Sequence, residues 1–160
     1  MNNQEVFLSD AIDVIEEILS SGGEFRLYPK GTSMMPLLRQ GRDSVVLKRK
    51  DSGAEKHDIA FYRRKNGAFV LHRVMRVSKD GSYVMCGDNQ TALEEGIERD
   101  QIIGYVDRVY RKDKSVDVSA LHYRIYVFLW CIMPIRRLLG FGHRVYCGVR
   151  RRVIKLFKKK

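Results

Sequence analysis

From Phe25 to about Asp117 the chain is written in short β-like runs: FRLY, SVVL, DIAFYR, AFVLHRVMRV, YVMCG and IIGYVDRVY. Turn residues separate them, as in Lys65-Asn66-Gly67 and Lys79-Asp80-Gly81-Ser82. β-branched and aromatic runs bounded by Gly, Asp and Asn read as strands and tight turns. No helical pattern alternates with them, which excludes βαβ units and leaves a mainly antiparallel β domain.

Helical segments flank this body. Phe7, Ala11, Ile12, Ile15, Ile18 and Leu19 fall at helical spacing over residues 5–19, with acidic residues on the other face and Gly22-Gly23 as the stop. The spacing predicts three zones: an amphipathic helix in 1–23, a β domain in 24–118 and a helical tail in 119–160. In the tail, Ser119 is the expected N-cap and Pro134 the expected kink or end of a first helix. After Gly140-Phe141-Gly142 a second stripe carries Val145, Tyr146, Val149, Val153, Leu156 and Phe157.

Charge divides along the same boundary. The chain has 160 residues and a net charge of +11, yet residues 1–120 hold 19 Lys and Arg against all 19 Asp and Glu. The other 11 basic residues, with no acid, lie in 121–160. A neutral body excludes a groove-lining nucleic-acid domain, which would carry its charge on the folded surface. The longest uncharged stretch of the tail, Ile125–Ile135, has 11 residues, whereas a spanning helix needs about 20. Basic amphipathic helices with Trp130 and Phe128 suit a membrane interface carrying anionic lipids; a partner protein and, behind it, nucleic acid are the competing readings of the tail. The acidic N-terminus lacks a continuous apolar run and does not read as a signal peptide. Peripheral membrane association, on the cytoplasmic face, is the expected location. Cys86, Cys131 and Cys147 show no metal-ligand spacing and read as reduced thiols.

Three short blocks bear possible chemistry. Gly31-Thr32-Ser33-Met34-Met35-Pro36 is a turn that can expose a Ser hydroxyl beside backbone N–H groups, as a nucleophile and its oxyanion site require. Met34 and Met35 suit either a wall beside that hydroxyl or ordinary core. His72 lies between apolar neighbours in a strand, a position open to a structural histidine or to a general base. Gly87-Asp88-Asn89 follows a strand and reads locally as an Asx turn. No phosphate loop, metal cluster or dinucleotide fingerprint appears, and no cofactor or metal is expected.

In order along the chain, GTSMMP, GRDSVVL, KHDIAFYR, LHRV and CGDNQ followed by IIGYV resemble the signal peptidase I superfamily, which includes the self-cleaving SOS and phage repressors. The likeness spans roughly residues 25–110. GTSMMP resembles the family's Gly-x-Ser-Met-x-Pro nucleophile box, and His57 stands where family members commonly carry Gly. The resemblance implies a signal-peptidase/SOS-repressor-like β domain with Ser33 as nucleophile and His72 as base, the Ser–His variant of the endoplasmic-reticulum and archaeal enzymes. Asp88 would be the third member. The family's second acidic residue has no Asp counterpart here, and Glu94 and Glu95 are the nearest carboxylates. Gly31 and Thr32 would shape the oxyanion turn, the Ser33 N–H would donate to the oxyanion, and Met34 and Pro36 would support the box. An acidic amphipathic helix stands in place of the family's N-terminal anchor.

The function implied is a serine endopeptidase acting on a precursor or leader polypeptide, without nucleic acid as a partner. The alternative is a non-catalytic or self-cleaving regulatory module of the same β fold. An intact Ser box together with an intact His favours the first, and helix 5–19 alone is too short for a helix-turn-helix.

Overall fold

The computed structural model describes residues 3–118, 120–136 and 138, with side chains from residue 11 onward. The second tail stripe and the Ser119 cap lie outside the described residues.

An N-terminal helix, α1 (Asn3–Ser20), precedes eight strands: β1 (Phe25–Leu27), β2 (Asp43–Lys48), β3 (Ile59–Arg63), β4 (Phe69–Val77), β5 (Tyr83–Cys86), β6 (Glu94–Ile97), β7 (Ile102–Arg111) and β8 (Lys114–Val116). A second helix, α2 (Leu121–Cys131), follows. All strand pairs are antiparallel in one sheet ordered β1-β2-β7-β3-β4-β5-β6, with β8 hairpinned onto β7. The turns at 65–67 and 79–82 close as the sequence suggests: Arg64 N–H donates to Ala68 O and Ser78 N–H to Ser82 O, each at 2.8 Å. Register shifts in β2, β3, β4 and β5 bend the sheet, since each extra residue adds local twist.

Strand alternation sorts the core onto two faces. Ile59, Phe61 and Leu71 join Ile12, Ile15 and Leu19 of α1 in one cluster, which Met34, Leu37 and Leu38 extend. Ala60, Tyr62, Val74 and Met85 project to the opposite face and build the second. α1 ends as its apolar stripe does, with Gly22 N–H on Leu19 O and Gly23 N–H on Ile18 O, the paired bonds of a Schellman motif.

Two strands escape the sequence pattern. β8 forms because Lys112 and Asp113 both take positive φ (49° and 63°), the geometry of a two-residue hairpin turn without its usual Asn-Gly. β6, EEGI, has no apolar alternation to betray it.

The tail differs from expectation in what its aromatics do. α2 stops at Cys131, and Pro134 enters the helical turn at 133–136, where its missing N–H costs little. Ala120, not a hydroxyl side chain, occupies the N-cap position. Instead of lying free of the body, α2 docks on it through Tyr126, Val127 and Trp130, and Arg136 beyond it is 3% exposed. Leu121, Ile125, Phe128 and Leu129 face outward. Among the described residues no helix is long and apolar enough to cross a membrane.

Candidate active site

The Ser33 turn is anchored from beneath. Met34 is 4% exposed and belongs to the α1-side core with Leu37 and Leu38, which settles its role as packing, while Met35 is half-buried and Thr32 and Pro36 are exposed. Gly31 adopts φ +81°, open to Gly at no steric cost, and its N–H donates to Gln40 Oε1 at 2.8 Å. Met35 N–H returns to Thr32 O at 3.1 Å, and Asp43 at the head of β2 accepts Arg39 N–H at 2.8 Å. The box is thus a tight loop hung between core side chains and the sheet.

His72 sits mid-β4, opposite Ala60 of β3, and is 2% exposed. Its Nδ1 lies 3.3 Å from the Tyr62 hydroxyl oxygen, and that hydroxyl donates to Glu94 Oε2 at 2.9 Å. Glu94 is gripped by Arg64, whose Nε and Nη2 donate to its two oxygens at 2.8 and 2.6 Å. A phenol has one proton to give, and a carboxylate is the stronger acceptor. With that proton committed to Glu94, the Tyr62 oxygen can only accept from the imidazole. Nδ1 therefore carries the ring proton and Nε2 keeps its lone pair.

That lone pair points at the loop after β5. A Cβ placed on Gly87 would lie 3.0 Å from His72 Nε2 and 2.7 Å from the Ser33 carbonyl oxygen, so both residues close on one point that only glycine leaves clear. The neighbouring Asn89 N–H donates to that carbonyl at 2.7 Å. Ser33 and His72, 39 positions apart in sequence, are brought together by residues 87–89. Among the described residues no hydrogen bond joins the Ser33 hydroxyl to the imidazole, a contact that in unliganded hydrolases often forms only with substrate.

Burial, and then the nearby Arg64 charge, pushes the His72 pKa down to about 4, against the pull of Glu94 and Asp88. The ring is neutral at pH 7. Burial and Glu94 together raise the Tyr62 pKa, which keeps the phenol protonated. Glu94 is held below the usual carboxylate range: burial works against it, but the bonds from Arg64 and Tyr62 win.

Asp88 is not the partner of His72. Adjacent residues of a strand face opposite sides of the sheet, and Asp88 follows Arg73, not His72. It is fully buried and paired with Arg73 through two bonds of 2.8 and 2.7 Å, and it also accepts from the Tyr126 hydroxyl at 3.0 Å. Arg73 Nη1 continues to His57 O at 2.9 Å. Of the two alternative carboxylates, Glu94 reaches His72 through Tyr62, whereas Glu95 makes an exposed ion pair with Arg76. Tyr62 escaped sequence reasoning because only the β3–β4 register places it diagonally across from His72.

The open side of His72 meets a groove of about 520 Å³ lined by Arg64, Asn89, Gln90, Thr91, Leu93 and Glu94. A cleft of about 530 Å³ elsewhere, lined by Glu16, Arg49, Arg63 and Arg99, contains neither Ser33 nor His72. No family model, curated protein or solved structure matches this chain.

Proposed function

We propose that this protein is a serine endopeptidase of the signal peptidase type, with Ser33 as nucleophile, His72 as general base and the Tyr62–Glu94 pair as the orienting group. The observation that carries the reading is that the Ser33 backbone carbonyl and His72 Nε2 both lie against Gly87, which sets residue 33 beside the imidazole, with Nδ1 occupied by Tyr62. A base whose distal nitrogen is pinned and whose proximal nitrogen is free can take a hydroxyl proton as the oxygen attacks a carbonyl. The peptide carbonyl carbon gains the Ser33 oxygen, the scissile C–N bond breaks, and the imidazolium returns its proton to the leaving amine. Water then hydrolyses the acyl-enzyme by the same route. The Ser33 N–H is the oxyanion donor in this scheme, and Tyr62 and Glu94 steady the imidazolium as it forms. The groove beside His72 receives an extended polypeptide segment of a precursor or leader.

The outward apolar face of α2, with Arg124 beside Ile125 and Phe128, supports peripheral attachment to an anionic membrane surface. Pelleting of the full chain with anionic vesicles but not neutral ones tests that part.

The chemistry is tested by a fluorophosphonate probe followed by peptide mass analysis. Labelling should fall on Ser33 and vanish in Ser33→Ala and His72→Gln. A folded wild-type protein that resists the probe, or one labelled at another serine, overturns the assignment.

A further inference from the structure

We propose that Trp130 and Arg136 of the C-terminal segment are positioning residues for this site, holding the 87–90 loop in the shape that brings Ser33 to His72. The catalytic wording rests on the function proposed above; the coupling of tail to loop rests on geometry.

The loop turns its carbonyls toward the tail. Trp130 Nε1–H donates to Asp88 O at 2.5 Å, and Arg136 Nη1 donates to Gly87 O and Gln90 O at 3.0 and 3.1 Å. Arg136 Nε closes back on Trp130 O at 2.7 Å, which ties the guanidinium to the end of α2. The stacked rings of Tyr126 and Trp130, 5.5 Å apart, set the indole's aim, and Tyr126 also holds the Asp88 carboxylate. Three of four consecutive carbonyls in the loop therefore accept from residues 130 and 136, with longer contacts from the Cys86 thiol to Gly87 O and Gln90 O at 3.4 Å. Buried carbonyls need donors; without the tail, Gly87 O keeps the Gln90 N–H and Gln90 O only the weak Cys86 thiol, so the loop is held less firmly.

The other side of the same loop faces the reacting groups. Asn89 N–H holds the Ser33 carbonyl, and Gly87 lies against His72 Nε2. A shift of the carbonyls moves these contacts, because they belong to the same few peptide planes. Arg136 makes the arrangement costly: it is buried, and among the described residues its partners are neutral carbonyl and sulfur atoms of Gly87, Gln90, Trp130, Cys86 and Met75. A buried cation without a carboxylate carries a desolvation penalty that an apolar side chain would avoid. Several carbonyls held at once by one planar fork is what the charge accomplishes here.

The test uses the full chain. Trp130→Phe removes the indole N–H while keeping an aromatic ring on Tyr126. Arg136→Met removes the fork and keeps the stem, and His122→Ala alters an exposed position of the same helix as a control. Fluorophosphonate labelling of Ser33 should slow by roughly 10-fold or more in the first two variants and stay at the wild-type rate in the third. Amide exchange at Asn89 should quicken, and the NMR titration midpoint of His72 should move up toward that of a solvated imidazole. Folded variants with wild-type labelling, exchange and titration overturn the proposal. If Arg136→Met does not fold, Trp130→Phe decides alone. If wild-type protein takes no probe, the endopeptidase reading falls, and Asn89 exchange with the His72 titration still decides whether the tail positions the loop.

Discussion

His72 Nδ1 and the Tyr62 hydroxyl oxygen lie 3.3 Å apart, and because that hydroxyl donates to Glu94 the contact determines which imidazole nitrogen is free. In the proposed mechanism the role of orienting group falls to a tyrosine backed by a carboxylate, itself held by Arg64. Removing the hydroxyl should release the ring. Tyr62→Phe is expected to lower the cleavage or labelling rate by about 100-fold, less than the ~10⁴-fold that the wrong tautomer costs a serine protease, because the ring can still reach the competent tautomer part of the time. Nitrogen NMR should show mixed tautomers where the wild type shows Nδ1–H alone. The stability loss should stay near 1 kcal/mol, since Glu94 keeps Arg64. An unchanged rate with a mixed tautomer would remove Tyr62 from the mechanism.

The pH profile should reflect burial of the base. Protonating His72 in the fold places a cation in a site screened from water and facing Arg64, while Glu94 and Asp88 only partly compensate. The acidic limb of labelling should therefore fall near pH 4, well below the ordinary imidazole value of 6.5. The same depression links to stability. The unfolded chain takes the proton near 6.5 and the folded one near 4, so the contribution is complete above 6.5 and is lost as pH falls through 4. That loss is on the order of 3 kcal/mol. Urea unfolding at pH 7 and pH 4.5, compared in wild type and His72→Gln, measures it; equal pH dependence in the two would contradict the argument.

Asp88 should prove structural. Asp88→Ala leaves the Arg73 guanidinium buried without its carboxylate and should cost roughly 3–5 kcal/mol. Replacing both members, as in Arg73→Met with Asp88→Leu, should recover much of that loss, because no lone charge remains. A double-mutant cycle in urea reads the coupling directly. A double variant no more stable than Asp88→Ala would mean the ion pair is not the source of the cost.

His57 holds φ +83° at the approach to β3, its N–H on Val74 O at 2.8 Å. That conformation strains an L side chain. His57→Gly should raise stability by roughly 0.5–1 kcal/mol, the strain relieved less the added freedom of the unfolded chain. A lower urea midpoint for the variant would show that its half-buried ring contributes more than the strain costs.

Local periodicity carries much of this molecule. The strand runs, their turn residues, the apolar stripe of α1 and the Ser33 box are patterns of near neighbours, and each is legible because backbone preference and burial act over a few residues. β6 and β8 are not, since one lacks alternation and the other turns on Lys112 and Asp113. The site needed more than pattern. Tyr62 reaches His72 only in the β3–β4 register that forms, and a slip of one residue would send it to the other face. Asp88 sits in a motif that suggests catalysis, yet the pleat turns it to Arg73, the neighbour of His72. In α2 both faces carry large apolar residues, so composition could not tell Trp130, which goes inward to Asp88 O, from Phe128, which stays exposed. The sequence by itself determined six of the eight strands and the first helix, and its resemblance to a known family nominated Ser33 and His72. The tertiary structure decided what each of them touches, because register and docking are settled by contacts between segments far apart in the chain.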